Sequence, residues 1–420
     1  MQVFKFGGAS VKDATSIKNL AQIVKQFSAE KLLIVVSAMG KTTNALENLT
    51  SDYINQSENL QEIFIEIKAY HHQILTELFE SSDPIFNEVE NTFVEIEWMI
   101  EEEPHDDPDF IYDQIVSIGE LVSSRIVTAY LNKVGIKSRW LDARGYIQTD
   151  NTYREGLVDW EKTQTQISKD LPEMLQVEIL VTQGFLGGTS ENFTTTLGRE
   201  GSDYSAAIFA SCLNASSVTI WKDVDGVYNA DPKRFKNIVK FDQLSYAEAV
   251  EMAYYGASII HPKTIRPLQN ASIPLYVKPF LKPMEAGTVI NLEEFPIKIP
   301  IIIVKPNQVL VSVFSKDHSF INENHLSEIY KLLADLHFKV NLVQTSALSF
   351  TFCVDYDASK FEKLLQKLKP AFNYRYNTET DLITIRHYEA ELLKELSAGK
   401  TILLEQLSRN TAQLLIKAEN

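Results

Sequence analysis

Three times in the first half of the chain, a short apolar run breaks at a loop of Gly, Ser or Thr and gives way to a helical stretch. Gln2–Phe6 ends at Gly7-Gly8 and precedes an amphipathic segment near 13–27. Leu32–Ser37 leads into Ala38-Met39-Gly40-Lys41-Thr42-Thr43-Asn44, which opens another helix. Val177–Gly184 leads through a loop to the small, apolar stretch Tyr204–Leu213, and Ser217–Trp221 is a further run of the same kind. Strands alternating with helices in this way build a mainly parallel α/β sheet. Ligands of such sheets sit at the carboxyl ends of the strands, where these loops lie.

The loop before Tyr204 carries most chemistry. Ser202 and Asp203 stand where a helix begins, and a helix start presents unpaired N–H groups that favour anions. Arg199 adds a fork-shaped cation suited to carboxylate or phosphate. Asp203, an acid among cationic groups, reads as a cap, a partner for a substrate ammonium, or a group near bound magnesium. A capped turn with a solvated arginine explains the same residues without any ligand.

Residues 45–105 read as helical and acidic, and the run at 101–109 reads as solvated loop rather than metal site. Phe110–Val134 reads as one helix, with Ile111, Ile115, Ile118, Val122, Ile126 and Ala129 on its apolar face. Asp113, Ser117, Glu120 and Ser124 form a polar stripe, ordinarily a face turned to solvent. Ser245–Glu248 is a capping box whose helix stops at Gly256. His261 before Pro262 reads as a structural hydrogen-bonder.

The pattern changes across a Pro- and Gly-containing linker at 283–300. Val309–Phe314, Glu323–Leu336, Val340–Val343, Ser349–Val354, Lys360–Leu368 and a strand near 371–376 follow the β-α-β-β-α-β order of a ferredoxin-like unit. A shorter echo follows over Leu382–Arg386, Glu389–Leu396, Thr401–Gln406 and Gln413–Lys417. This region reads as regulatory and oligomeric, or as a plain dimerisation module.

At 420 residues the chain has room for two or three domains. Its net charge of −16 argues against a general nucleic-acid or anionic-membrane surface. Two cysteines in apolar context, no signal peptide and no apolar run near the ~20 residues of a membrane span predict a cytoplasmic protein.

No P-loop, no G-x-G-x-x-G after a strand and no protein-kinase signature occurs. KFGGASV at 5–11, SIGE at 117–120, TTLGREGSDYSA at 195–206, DVDGVYNADP at 223–232 and GASIIHPKT at 256–264 together resemble the aspartate kinases of the amino-acid kinase superfamily, over roughly residues 2–290. The tail resembles the paired ACT domains of those enzymes. The resemblance implies a kinase domain of amino-acid kinase type over 1–290 and a tandem ACT region over 300–420, its second unit short. It implies transfer of the ATP γ-phosphoryl group to the side-chain carboxylate of L-aspartate, the entry to lysine, threonine and methionine. The chain is too short for a fused homoserine dehydrogenase.

By the same resemblance, Lys5, Arg199 and Asp203 are catalytic, and Thr43, Glu120, Arg199, Ser202 and Asp203 hold aspartate. Lys5, Gly7, Gly8, Ser37, Lys222, Asp223, Tyr228 and Lys233 hold ATP. Magnesium arrives with the nucleotide and needs no protein metal site, and the ACT units join a homodimer or homotetramer. Phe320, Asn341 and Thr345 mark an amino-acid effector site.

Four positions depart from the family pattern: Ala9 stands for Thr, Lys222 for Thr, Ser258 for Lys, and Asn341 for an acid. Lys222 or Lys263 is expected to replace the lysine missing at 258. An amide at 341 pairs less well with an ammonium group, so weak or altered lysine feedback is expected. Two other readings stand beside this one: a superfamily member acting on glutamate, carbamate or a nucleotide monophosphate, and a non-catalytic amino-acid sensor.

Overall fold

The computed structural model describes residues 1–27, 30–57, 59–257, 260–317 and 319–417. Two compact units emerge. The first comprises 1–227, 240–253 and 258–295; the second comprises 228–239, 254–257 and 296–420. Two short segments inside the expected kinase range therefore belong to the second unit.

The first unit is built on an eight-stranded sheet. Its strands are β1 (Gln2–Phe6), β2 (Leu32–Val36), β3 (Ser138–Leu141), β4 (Ile179–Gln183), β5 (Ser217–Lys222), β6 (Gln243–Ser245), β7 (Leu275–Pro279) and β8 (Thr288–Asn291). They lie in the order β6-β8-β7-β5-β1-β2-β4-β3. Only β7 and β8 pair antiparallel. β2 and β4 are buried at every residue, as covered parallel strands require, which is why they read as unbroken apolar runs. The helix Gly201–Cys212 packs on β1, β2 and β5, and the helix Ile118–Lys133 on β2, β3 and β4. From β1 the chain moves outward through β2, then returns to place β5 on the opposite side of β1. That reversal opens a crevice between β1 and β5, the place where doubly wound sheets bind ligands.

The expected helix 110–134 is two helices, Pro108–Val116 and Ile118–Lys133. Asp107 caps the first, with Pro108 at its first position, so it starts earlier than its apolar face suggested. At the junction, Ser117 Oγ bonds back to the carbonyl of Gln114 at 3.0 Å, competing with the helix ladder. The polar stripe is not solvated. Asp113, Ser117, Glu120 and Ser124 are all buried. Ser124 Oγ accepts from Trp140 and Gln183 side chains, so the stripe serves as an internal polar seam, each donor needing a partner. Asp203 is not a cap either: Glu200 stands at the N-cap in the left-handed region with no side-chain cap bond. His261 is structural as read, accepting the Lys263 N–H at the start of Pro262–Asn270. The 283–300 linker contains β8.

The second unit carries one six-stranded sheet: β9 (Ile301–Ser315), β10 (Val340–Thr345), β11 (Ser349–Asp355), β12 (Phe372–Arg386), β13 (Ile402–Leu407) and β14 (Thr411–Lys417), in the order β10-β11-β9-β12-β14-β13. β9 and β12 are each 15 residues long and pair with each other along most of their length. The sequence reading cut both into shorter strands, because Pro306-Asn307 and Glu379 interrupt the pattern. In the structure these interruptions are register shifts near Lys305, Gln308 and Leu310, and the strands continue past them. The halves separate cleanly. Residues 308–315, with β10, β11 and the start of β12, form one ferredoxin-like sheet. The end of β12, with β13 and β14, forms the short echo, and Ile301–Lys305 supplies its fourth strand.

Candidate active site

One cleft of about 600 Å³ in the first unit is lined by Lys5, Ser37, Thr43, Glu120, Arg199, Ser202, Asp203 and Lys222. These expected site residues arrive from separate elements. Lys5 lies on β1 and Lys222 at the end of β5, flanking the crevice. Asp203 lies in the first turn of Gly201–Cys212. Its Oδ1 is 2.6 Å from Lys5 Nζ and its Oδ2 is 3.9 Å from Lys222 Nζ. Burial pushes the Asp203 carboxyl up, but the charges of Lys5 and Lys222 prevail and hold it below the usual carboxylate range. The stabilisation from this pairing is present above the ordinary aspartate pKa and is lost as pH falls through the depressed one.

The second wall comes from the loop after β2. Ser37 accepts from Ser123 Oγ at 2.7 Å, and the Ala38 N–H donates to Glu120 Oε1 at 3.2 Å. Glu120 is 3% exposed, and its Oε2 has no hydrogen-bond partner among the described residues. Burial pushes its carboxyl up to about 8, against the Ala38 N–H and the Lys5 charge. Burial thus favours the protonated Glu120 carboxyl at neutral pH. Thr43 lies in the first turn of Thr42–Ile54.

Gly7 and Gly8 do not line the cleft, but they shape it. The Gly40 N–H donates to the Gly8 carbonyl, and a Cβ at Gly8 would stand 2.8 Å from the Gly40 carbonyl oxygen and 2.9 Å from that of Ala38. Gly8→Ala is therefore expected to push the two loops apart and to cost about 1–3 kcal/mol of stability in urea denaturation. An unchanged midpoint would show that the loops do not need this close approach.

Arg199 is exposed and makes no ion pair among the described residues, leaving its guanidinium free to receive a ligand. Asp223 is exposed and outside the cleft lining; Tyr228 and Lys233 belong to the second unit. Ser258 lies outside the described residues. Lys263 Nζ is 4.0 Å from Glu155, which lines the cleft. Sequence reasoning missed Glu47, Tyr112, Arg154 and Glu155 in the lining. It also missed His71, which is fully buried behind the loop. Its ring contacts the Ile67 carbonyl at 2.7 Å and Thr42 Oγ1 at 3.4 Å. Burial pulls its pKa down to about 4, so it stays neutral. A lone histidine in an amphipathic helix gives no sequence signal of this kind.

The segments carrying two of the expected effector residues meet, since the Ile321 N–H donates to the Ala347 carbonyl at 2.9 Å. Phe320 is 71% exposed, and Thr345 is exposed near the end of β10. Asn341 is already engaged: Lys305 Nζ donates to its Oδ1 at 2.8 Å, and its amide donates to Gln308 and Asp355. The space beside it measures only about 10 Å³ and includes neither Phe320 nor Thr345.

Residues 1–279 match the amino acid kinase family. Aspartokinase 1 of Arabidopsis thaliana, a chloroplastic protein, is 33% identical over 87% of this chain, which spans 65% of that relative's length. The lysine-sensitive aspartokinase 3 of Escherichia coli is 32% identical, with 84% of this chain and 78% of the relative covered. The chain belongs to the amino acid kinase family, as an aspartokinase. The structure agrees. E. coli aspartokinase III in complex with aspartate and ADP superposes with a TM-score of 0.85 at 26% identity, covering 99% of this chain and 96% of that one. The same enzyme with lysine and aspartate gives 0.81. The mainly parallel kinase-type sheet and the separate ferredoxin-like sheet are thus those of an aspartokinase. No helix among the described residues is long and apolar enough to cross a membrane.

Proposed function

We propose that the first unit transfers the γ-phosphoryl group of ATP to the side-chain carboxylate of L-aspartate, giving 4-phospho-L-aspartate at the entry to lysine, threonine and methionine synthesis. The observation that carries this reading is that Lys5 and Arg199 open onto one cleft together with Glu120 and Asp203. The acceptor carboxylate is already ionised at neutral pH, so no strong general base is needed. Catalysis rests on positioning and charge.

Lys5 meets the ATP phosphates and neutralises charge as the phosphoryl group moves. Gly7, Gly8 and Ser37 bring the backbone of the first two loops to those phosphates. Lys222 and Asp223 hold the nucleotide, with Tyr228 and Lys233 assigned to it by resemblance. Arg199 clamps the α-carboxylate of aspartate. Glu120 and Asp203 face its ammonium group, and Thr43 and Ser202 orient the rest. Among the described residues no group of three His, Cys, Asp or Glu is placed to hold a metal ion. Magnesium is assigned to the nucleotide by the resemblance, keeping several waters.

A coupled ADP-release assay over aspartate, glutamate, carbamate and UMP tests the acceptor, and only aspartate is expected to support turnover. Arg199→Ala is expected to weaken aspartate by about 2–4 kcal/mol in KM while moving the ATP KM far less. Equal rises in both would remove Arg199 from the amino-acid side.

The second unit is read as a tandem ACT region, 300–420, that joins copies of the chain into a dimer or tetramer. Sedimentation of the full chain checks this, and a monomer at micromolar concentration would refute it. Lys305 places a cation where the resemblance expects an acid to take an effector's ammonium group. Lysine at sub-millimolar concentration is accordingly expected to leave ADP release unchanged; a clear shift would overturn that reading. Two buried free thiols, Cys212 and Cys353, fit a cytoplasmic location.

A further inference from the structure

Arg154 lines the same cleft as Arg199, and the structure holds it there by several independent contacts. Its guanidinium carbon sits 4.0 Å from the centre of the Tyr112 ring, and its Nη1 donates to Asp109 at 3.2 Å. The Tyr112 hydroxyl donates in turn to Glu47, one helical turn beyond Thr43. Arg154 therefore stands on the wall assigned to the amino acid, and none of these contacts involves Lys5, Lys222 or Asp203.

The backbone is fixed as firmly as the side chain. A single buried oxygen, Asp113 Oδ2, accepts from both the Arg154 N–H and the Thr196 N–H, each at 2.9 Å. The Gly156 N–H donates to the Thr196 carbonyl. A Cβ at Gly198 would touch Glu155 and the Arg154 carbonyl oxygen. The segment carrying Arg154 thus lies against the residue that precedes Arg199. Arg154 also adopts φ 65°, a left-handed conformation uncommon for a long side chain. A backbone held there by a buried acid presents a half-exposed cation to the cleft from a fixed place.

We propose that Arg154 is a second carboxylate-reading arginine of this site, which joins Arg199 on the α-carboxylate of the acceptor amino acid and so sets its selectivity. This rests on the aspartate-kinase reading above. Stacked on Tyr112, the guanidinium stays planar and desolvated on one face, with its outer N–H groups available to a carboxylate.

Arg154→Gly separates recognition from folding, because glycine accepts φ 65° without strain. The variant is expected to melt no lower than the parent while the KM for L-aspartate rises about tenfold and the ATP KM stays within about twofold. Arg154→Lys, which keeps the charge but loses the planar fork, is expected between the two. With the α-amide of aspartate as acceptor, parent and Arg154→Gly should differ little, since the carboxylate that Arg154 reads is absent. Three results would overturn the proposal: an unchanged aspartate KM, an equal rise in the ATP KM, or the same loss with the α-amide. Parental turnover with L-aspartate is the control. Without it the catalytic reading fails; with it, a null Arg154 result sinks this proposal alone.

Discussion

Lys5→Met is expected to lower kcat for ADP release by about 10²–10³-fold, the scale of losing one preorganised charge contact in a transition state. Its effect on stability should be just as informative. Lys5 is the nearer partner of Asp203, at 2.6 Å, and both side chains are nearly out of solvent. Removing one member of a buried pair strands the other. Lys222, at 3.9 Å, still faces the stranded carboxylate, so the loss should fall below the full cost of an isolated buried charge, at about 1–3 kcal/mol. Adding Asp203→Asn to Lys5→Met should then recover much of the stability and none of the activity. Urea denaturation and saturating kinetics on the three variants separate these effects. A kcat within tenfold of the parent for Lys5→Met would take Lys5 out of the chemistry.

The second large effect concerns protons. Glu120 lines the cleft, is buried with one oxygen unpartnered among the described residues, and is pushed up to about 8. The unfolded chain releases that proton near the ordinary glutamate value, so between roughly pH 4.5 and 8 the folded state binds more protons. The contribution of Glu120 to folding is therefore most favourable at the acid end and declines as pH rises through this window. An ammonium group arriving beside it reverses the balance and draws out the proton. Aspartate binding at pH 7 is expected to release close to one proton, read by titration calorimetry in two buffers of different ionisation enthalpy. Glu120→Gln should bind aspartate more weakly, remove the buffer dependence and flatten the decline in stability. Identical heats in the two buffers for the parent would show that Glu120 is already ionised in the empty site.

Much of this site could be read from the chain, for identifiable reasons. Covered parallel strands must be apolar throughout, so β1, β2, β4 and β5 announced themselves, and the loops at their ends followed. Lys5, Arg199 and Asp203 sit in or beside those loops. Residues that act from helix interiors were hidden. Asp113 and Ser124 have the spacing of a solvated face, and nothing local reveals that β4 and the 194–199 segment close over them. Arg154 gave no signal because its role depends on a backbone conformation set by Asp113, 41 residues away. The long strands β9 and β12 were cut short for a related reason. Proline and polar residues mark strand ends in isolation, yet pairing across the sheet carried both strands through a register shift. The fourth strand of the echo unit was missed because it precedes the unit it completes.

The account stands on one chemical event, the making of an acyl phosphate on aspartate, and hydroxylamine traps that product directly. With ATP, magnesium and L-aspartate, the chain should form aspartyl hydroxamate in step with ADP, and Lys5→Met should lower both by the same factor. ADP release that needs aspartate but yields no hydroxamate, or hydroxamate formed from another carboxylate and not from aspartate, would contradict it.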